Sequence, residues 1–99
     1  MDFNTFQQSL TMESPPQVSA ALQALWWDAK GGWEKAHRTA QDDPSPNGSW
    51  VHAYLHRKEG DQWNAEYWYR RAQKSVPKKS LRAEWEGLVR EMLKAKENS

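Results

Sequence analysis

Two histidines at helical spacing are the residues whose type and position could hold a metal ion. His52 and His56 lie four positions apart, which places both imidazoles on one face of a helix, where they can share an ion. No glutamate of the metalloprotease kind stands between them, and His37 falls on another predicted helix, so no third ligand is evident. We therefore expect a pair of partly exposed helix histidines and predict neither a metal nor a cofactor.

Other groups that could carry catalysis fit structural roles instead. Asp42 and Asp43 are adjacent carboxylates, but Pro44 follows them directly, so they are typical of a helix end and a turn. A general acid would need a carboxylate held in an apolar pocket or beside a like charge. Gly31 and Gly32 lack the following Lys-Ser/Thr of a phosphate-binding loop. We therefore predict that the protein is not an enzyme. A small enzyme of unknown chemistry ranks third among the functions considered, after the two described at the end of this section.

The composition indicates one small domain that depends on aromatic residues for its core. The chain has 99 residues, of which 37% are hydrophobic, and it contains seven tryptophans. Each aromatic side chain can bury roughly 150–250 Å², so a few of them make a compact core. The chain has no cysteine, which excludes disulfides and thiolate metal sites.

Charge and hydropathy reduce the number of partner classes and cellular locations to be considered. The formal net charge is +1, from 14 Lys+Arg and 13 Asp+Glu, and such a balance argues against nucleic acid and anionic membranes as partners. Short basic runs at 70–74 and 78–79 are explained by ordinary contacts between arginine and aromatic rings. The chain opens without a basic region and an apolar run, and its longest near-apolar stretch, 20–27, is too short to span a membrane. We expect a cytoplasmic protein.

Apolar spacing and loop signals predict five helices and no strands, and therefore an all-α fold. Glycines at 31, 32 and 60 and proline-containing segments at 42–48 and 75–79 interrupt the helical pattern. The predicted helices cover residues 16–30, 33–41, 50–59, 62–74 and 81–96.

The domain organisation follows from these helices. Residues 1–14 are predicted to form a tail, with a short helix as the alternative because Phe3, Phe6 and Leu10 have helical spacing. Residues 15–99 form a single domain, with helix pairs over about 16–42 and 49–75 and a capping helix over about 80–97. The last helix has a clean apolar stripe, which suits a helix that covers the open end of a stack.

The two predicted helix pairs share a short internal pattern. Gly31-Gly32-Trp33-Glu34-Lys35-Ala36 aligns with Gly60-Asp61-Gln62-Trp63-Asn64-Ala65, and Gly31 and Gly60 are 29 positions apart. A tight reversal between antiparallel helices favours glycine, and the close approach of two backbones favours a small residue such as alanine.

The second helix pair resembles a tetratricopeptide repeat. Its second helix has family-like residues at relative positions 0, 4, 7 and 12, namely Ala65, Tyr69, Ala72 and Pro77. The segment 68–72, Trp-Tyr-Arg-Arg-Ala, is similar to the signature of the related Sel-like repeats. The first pair matches more loosely, through Ala24, Trp27, Gly31 and Ala36. The resemblance implies antiparallel helix pairs in a short right-handed array, although the offset of 29 is below the usual period of about 34.

The resemblance also implies a groove that binds a partner. In that family the first helix of each pair lines a concave ligand face. Projected onto this chain, the face comprises Trp50, Tyr54, Arg57 and Lys58 from the second pair, and Leu25 and Asp28, with Val18, from the first.

We therefore expect a protein-interaction module whose groove binds a peptide or partner protein. Tyrosine, tryptophan and arginine are enriched at binding hot spots, and an acidic residue or C-terminal carboxylate of the partner would meet Arg57 and Lys58. The alternative is a structural domain that forms a homodimer through its surplus aromatic residues, such as Trp63 and Tyr67. Whether the surplus aromatics belong to the core or to a binding surface is left open.

Overall fold

The computed structural model describes residues 1–97, with side chains as far as Lys94. Within this range no β-strand occurs, so the all-α prediction is confirmed. A short 3₁₀ turn, Ser9–Thr11, follows the first helix. The helices are α1 (Phe3–Gln8), α2 (Ala20–Ala29), α3 (Trp33–Gln41), α4 (Pro46–Glu59), α5 (Gln62–Arg71) and α6 (Leu81–Glu97). None of the helices between residues 1 and 97 combines the length and apolarity needed to cross a bilayer.

Capping side chains decide where α2 and α4 begin. The Ser19 hydroxyl accepts a hydrogen bond from the Leu22 amide at 3.3 Å, so α2 begins at 20 and not at 16 as predicted. Helix α4 begins four residues earlier than predicted, because Ser45 is its cap and Pro46 is its first residue. Gly48 therefore lies inside a helix and not in a turn. A Cβ there would stand 2.2 Å from the Asp43 carbonyl oxygen.

Two antiparallel hairpins form the centre of the fold. Helix α2 packs on α3 and α4 packs on α5, and α3 also packs on α4. Both hairpins reverse through a left-handed glycine, Gly31 with φ 87° and Gly60 with φ 90°. In each hairpin an alanine, Ala36 or Ala65, is fully buried where the two helices meet.

The N-terminal segment is the short helix and not the tail. Phe3 and Phe6 are buried, and their ring centres lie 6.1 and 6.2 Å from that of Trp85 on α6. The Trp26 indole Nε1 donates a hydrogen bond to the Ser9 hydroxyl at 3.1 Å, which fixes the 3₁₀ turn against α2. Aromatic packing of this kind adds roughly 0.5–1.5 kcal/mol beyond the buried area.

Helix α6 lies across the first helices of both hairpins. It packs against α2, α4 and α1, and the Trp85 Nε1 donates to the Leu25 carbonyl of α2 at 3.0 Å. The sequence predicted that this helix would cover the end of the stack. It instead covers the side of the stack that α2 and α4 form. The largest fully buried side chains are Trp26, Tyr69, Phe6, Leu22, Leu25, Leu55, Leu88, Val51 and Val89.

Candidate functional site

The six residues predicted to line a partner groove do not form one open surface. Leu25 is fully buried in the core, and Tyr54 is only 2% exposed. Asp28 is buried, Trp50 and Arg57 are half-buried, and Lys58 is exposed. Two of the projected residues, Leu25 and Arg57, contact the chain's own last helix, α6.

Asp28 is the centre of one polar network on this face. The Tyr54 hydroxyl donates to Asp28 Oδ2 and the Lys58 ammonium donates to Asp28 Oδ1, both at 2.9 Å. Burial, with the Asp28 carboxylate beside it, raises the pKa of Tyr54 well above its usual value. The buried carboxylate thus has two partners, as a buried charge requires.

Glu84 is the centre of a second network, and it engages Arg57. Arg57 Nη1 donates to Glu84 Oε1 at 2.7 Å, and Nη2 donates to the Lys79 carbonyl at 2.5 Å. The Tyr69 hydroxyl donates to the other Glu84 oxygen. Burial, together with this hydrogen bond, raises the pKa of Tyr69. Arg57 is therefore committed to α6 and is not free for a partner.

Trp50 lies apart from the other projected residues. Its ring packs against the small cluster of Ala53, Ala65 and Tyr69 between α4 and α5 and also against the main core, and the Lys74 ammonium lies 4.3 Å from the ring centre. Trp50 therefore contributes to packing between the helices of the second hairpin.

The other part of the projected face lines a cavity of about 330 Å³. Asp28, Tyr54 and Lys58 form one wall, and side chains that were not predicted complete it. The further lining residues are Gln7, Leu10, Ala29, Leu81, Arg82 and Trp85. Arg82 lines this cavity only because α6 lies across α2 and α4.

The three histidines come together elsewhere, between α3, α4 and α5. His52 and His56 are 4% and 9% exposed, so the expectation of partly exposed histidines is wrong. The third candidate ligand that was not evident from the sequence is His37 of α3, because candidate ligand atoms of His37, His52 and His56 all lie within 4.8 Å of one another. The helical spacing of His52 and His56 was visible in the sequence, but the packing of α3 on α4 was not.

Burial keeps two of these imidazoles uncharged. It lowers the pKa of His52 to about 4, with His37 and His56 acting in the same direction. Burial, with His56 next in effect, also lowers the pKa of His37. At neutral pH each of these two rings therefore has a lone pair on one of its nitrogens.

Two exposed aromatic side chains lie on the outer face of α5. Trp63 is 73% exposed and Tyr67 is also exposed. They belong to the surplus that the sequence left open, and they lie outside the core.

Comparisons with protein-family models, with curated proteins and with solved structures found no significant match to this chain.

Proposed function

We propose that this chain is a protein-interaction module that accepts the C-terminal carboxylate of a partner in the cavity between α1, α2, α4 and α6. One observation carries the proposal. Three of the six residues projected for a partner groove, Asp28, Tyr54 and Lys58, line that single cavity.

The charge of the cavity favours an anion. Lys58 and Arg82 are positive and Asp28 is negative, which leaves one positive charge in excess. Lys58 and Tyr54 already satisfy Asp28, whereas Arg82 is exposed and forms no ion pair with the side chains described, those of residues 1–94. A carboxylate that enters the cavity would pair with the Arg82 guanidinium, for which carboxylates are the natural partner.

The size of the cavity favours one anchoring residue. Its volume of about 330 Å³ is at the lower end of ligand pockets, which range over roughly 300–1,000 Å³. Leu10, Leu81 and Trp85 give it an apolar wall. A terminal apolar residue, with its own carboxylate on Arg82, uses both the wall and the charge.

A tetratricopeptide-like arrangement of the two hairpins is part of this proposal. Gly31 and Gly60 share a left-handed conformation, and Ala36 and Ala65 share full burial, as equivalent positions of a repeat should. In such an array α2 and α4 would present the ligand face. Helix α6 would then occupy most of that face from within the chain, and the cavity would be the portion left open.

The test begins with a random peptide library displayed with free C-termini and selected against the wild-type chain. The affinity of a selected peptide is then measured by fluorescence anisotropy, beside its C-terminally amidated form. We expect amidation, and the double change Lys58→Gln with Arg82→Gln, each to weaken binding about tenfold or more.

The matched control is Arg70→Gln, which removes an exposed charge from α5 away from the cavity. It should leave the affinity unchanged. Equal binding by the wild-type chain and the double variant would refute the cavity as the site. Circular dichroism of each variant establishes that it is folded.

A second candidate function is homo-oligomerisation through the outer face of α5. Trp63 is 73% exposed, and a large exposed aromatic beside Tyr67 is typical of an interaction surface. Sedimentation velocity over a wide range of concentrations tests this function. It predicts a dimer that Trp63→Gln converts to a monomer, and a wild-type chain that stays monomeric excludes it.

A further inference from the structure

The histidine cluster joins the two hairpins at a point far from the cavity. His37 lies on α3 and His52 and His56 lie on α4, and these are the only histidines in the chain. Tyr54 and Lys58 of the cavity lie on the opposite side of α4, because two residues along a helix rotate by about 200°. The histidine cluster and the cavity therefore have no side chain in common.

The three rings form a nearly even triangle. Their centres are 4.5 Å apart for His37 and His52, 4.8 Å for His52 and His56, and 5.1 Å for His37 and His56. Imidazoles bound at about 2.0–2.1 Å around one tetrahedral ion have ring centres roughly 5 Å apart. The observed triangle therefore has about the size that three imidazoles make around one ion.

A carboxylate orients one of the rings. The His56 Nδ1–H donates to Glu59 Oε2 at 2.7 Å, because a carboxylate can only accept. This fixes the tautomer and leaves the lone pair on Nε2. Histidines that bind metals commonly have their second nitrogen held by a carboxylate in this way.

A nitrogen atom of the cluster has no partner within the part of the chain that the structure describes. His37 Nε2 is buried there without a hydrogen bond. Buried polar atoms without partners are rare, since each costs desolvation energy. An ion between the rings would satisfy this nitrogen.

Two indoles hold the rings and keep water away. Trp33 stacks on His37 at 5.0 Å and Trp68 stacks on His52 at 4.0 Å between ring centres. The Trp33 Nε1 donates to the Leu55 carbonyl at 3.0 Å, so Trp33 is itself fixed. The ligands are thus positioned by packing, as a preorganised metal site requires.

We propose that His37, His52 and His56 bind one divalent transition-metal ion of the zinc type. Three uncharged nitrogen ligands suit zinc, copper, nickel or iron, and they do not suit calcium or magnesium, which take oxygen ligands. Three protein ligands leave one position of a tetrahedral ion for water. The bound ion would connect α3 to α4 and thereby fix the two hairpins relative to each other.

Titration of the full chain, prepared without a histidine tag and stripped with a chelator, tests the site. Isothermal titration calorimetry with Zn²⁺ should give one ion per chain. Titration with Co²⁺ should give the visible absorption of a tetrahedral complex. A chain that binds neither ion at micromolar concentrations would overturn the proposal.

Variants locate the ion. Loss of an outer-shell partner lowers metal affinity by about 10–100-fold, so Glu59→Gln should weaken Zn²⁺ binding by that amount. His37→Gln and His52→Gln should each weaken it more. Glu66→Gln, an exposed carboxylate on α5, is the matched control and should have no effect. Circular dichroism of the metal-free variants shows that they are folded.

One alternative location is distinguishable. His56, Glu59 and Asp61 also have potential ligand atoms close together near the surface. If Asp61→Asn abolishes binding while His37→Gln leaves it intact, the ion is at that surface and the proposal is wrong. The double variant Lys58→Gln with Arg82→Gln should keep full Zn²⁺ affinity, so failure of the cavity and failure of the metal site can be told apart.

Discussion

Helix α4 has two polar sides that differ in how their polar groups are satisfied. On one side Tyr54, Arg57 and Lys58 meet the buried carboxylates of Asp28 and Glu84; we call this the carboxylate side. On the other, His52 and His56 meet His37; we call this the histidine side. The carboxylates have their partners, whereas His37 Nε2 has none among the described residues. A network in which every polar group has a hydrogen-bond partner contributes stability and specificity to the fold. A network with an unpartnered nitrogen can still bind a ligand such as a metal ion.

The largest expected loss of stability comes from removing a buried carboxylate, Glu84, from the carboxylate side. Glu84→Ala leaves the Arg57 guanidinium and the Tyr69 hydroxyl without their acceptor, and we expect it to lower the free energy of unfolding by about 3–5 kcal/mol. Urea unfolding followed by circular dichroism measures this change.

The matched control is Glu86→Ala on the same helix. Its carboxylate accepts from Arg90 Nε at 3.2 Å near the surface, and such pairs contribute at most about 1 kcal/mol. If the two variants are equally stable, the carboxylate side is not the saturated network described above.

The second largest expected effect is a loss of folding stability in acid, and it comes from the histidine side. The pKa of His52 is lowered to about 4 from its ordinary 6.5, so between these values the unfolded chain takes up a proton that the folded chain does not. Stability is therefore full above about pH 6.5 and is lost as the pH falls toward 4, by up to about 3 kcal/mol. Unfolding of metal-free protein across this range measures the loss.

The contribution of His52 is isolated by a variant. The charged and titratable groups around its ring are His37 from α3, His56 and Glu59 from α4, and Arg71 of α5 beyond Trp68. His52→Gln should flatten the acid loss while those groups remain. An unchanged slope in that variant would mean that the histidine side does not control acid stability.

A smaller effect is expected at Asp28. Asp28→Ala leaves the buried Tyr54 hydroxyl without an acceptor, while Lys58 can turn to water, and we expect a loss of about 1–3 kcal/mol. Asp28→Asn keeps an acceptor for Tyr54 and should lose less. Thermal or urea unfolding of both variants, side by side, measures the two losses of stability. An equal loss in both would assign the effect to charge instead of to the hydroxyl.

The smallest expected loss of stability is at Tyr54, and its size depends on pH. Tyr54→Phe removes one hydrogen bond and should cost about 1 kcal/mol at pH 7. The pKa of Tyr54 is raised above its ordinary 10, so the stability linked to its protonation is present below pH 10 and is lost as the pH rises further. The difference between wild type and variant should therefore shrink at about pH 11. A constant difference would contradict the raised pKa.

Local signals in the sequence predicted the elements better than their arrangement. Helix α3 has the predicted bounds and α6 begins where predicted, because Gly32 and the segment before Leu81 are clear interruptions. The sequence predicts the start of α4 four residues too late, because Asn47-Gly48 is typical of a turn. The glycine is instead required by the Asp43 backbone next to it.

The sites depended on contacts between distant elements, which spacing alone does not specify. His37 meets His52 only because α3 packs on α4, and Arg82 lines the same cavity as Lys58 only because α6 lies across α2 and α4. The projected groove residues Leu25 and Tyr54 are buried for the same reason. Helical periodicity indicates which residues share a face, but not which other helix that face meets.

The hydrogen bond from the Trp85 indole to the Leu25 carbonyl joins residues 60 positions apart. Its proton can exchange with solvent only when α6 separates from α2, whereas the indole proton of Trp33 reports on contact between the two hairpins. The exchange rates of the two indole protons, measured by NMR, thus report on two different motions: separation of α6 from α2, and separation of the two hairpins. If the Trp85 proton exchanges faster than that of Trp33, α6 leaves the hairpins while they remain together, and the face it covers becomes transiently available to a partner.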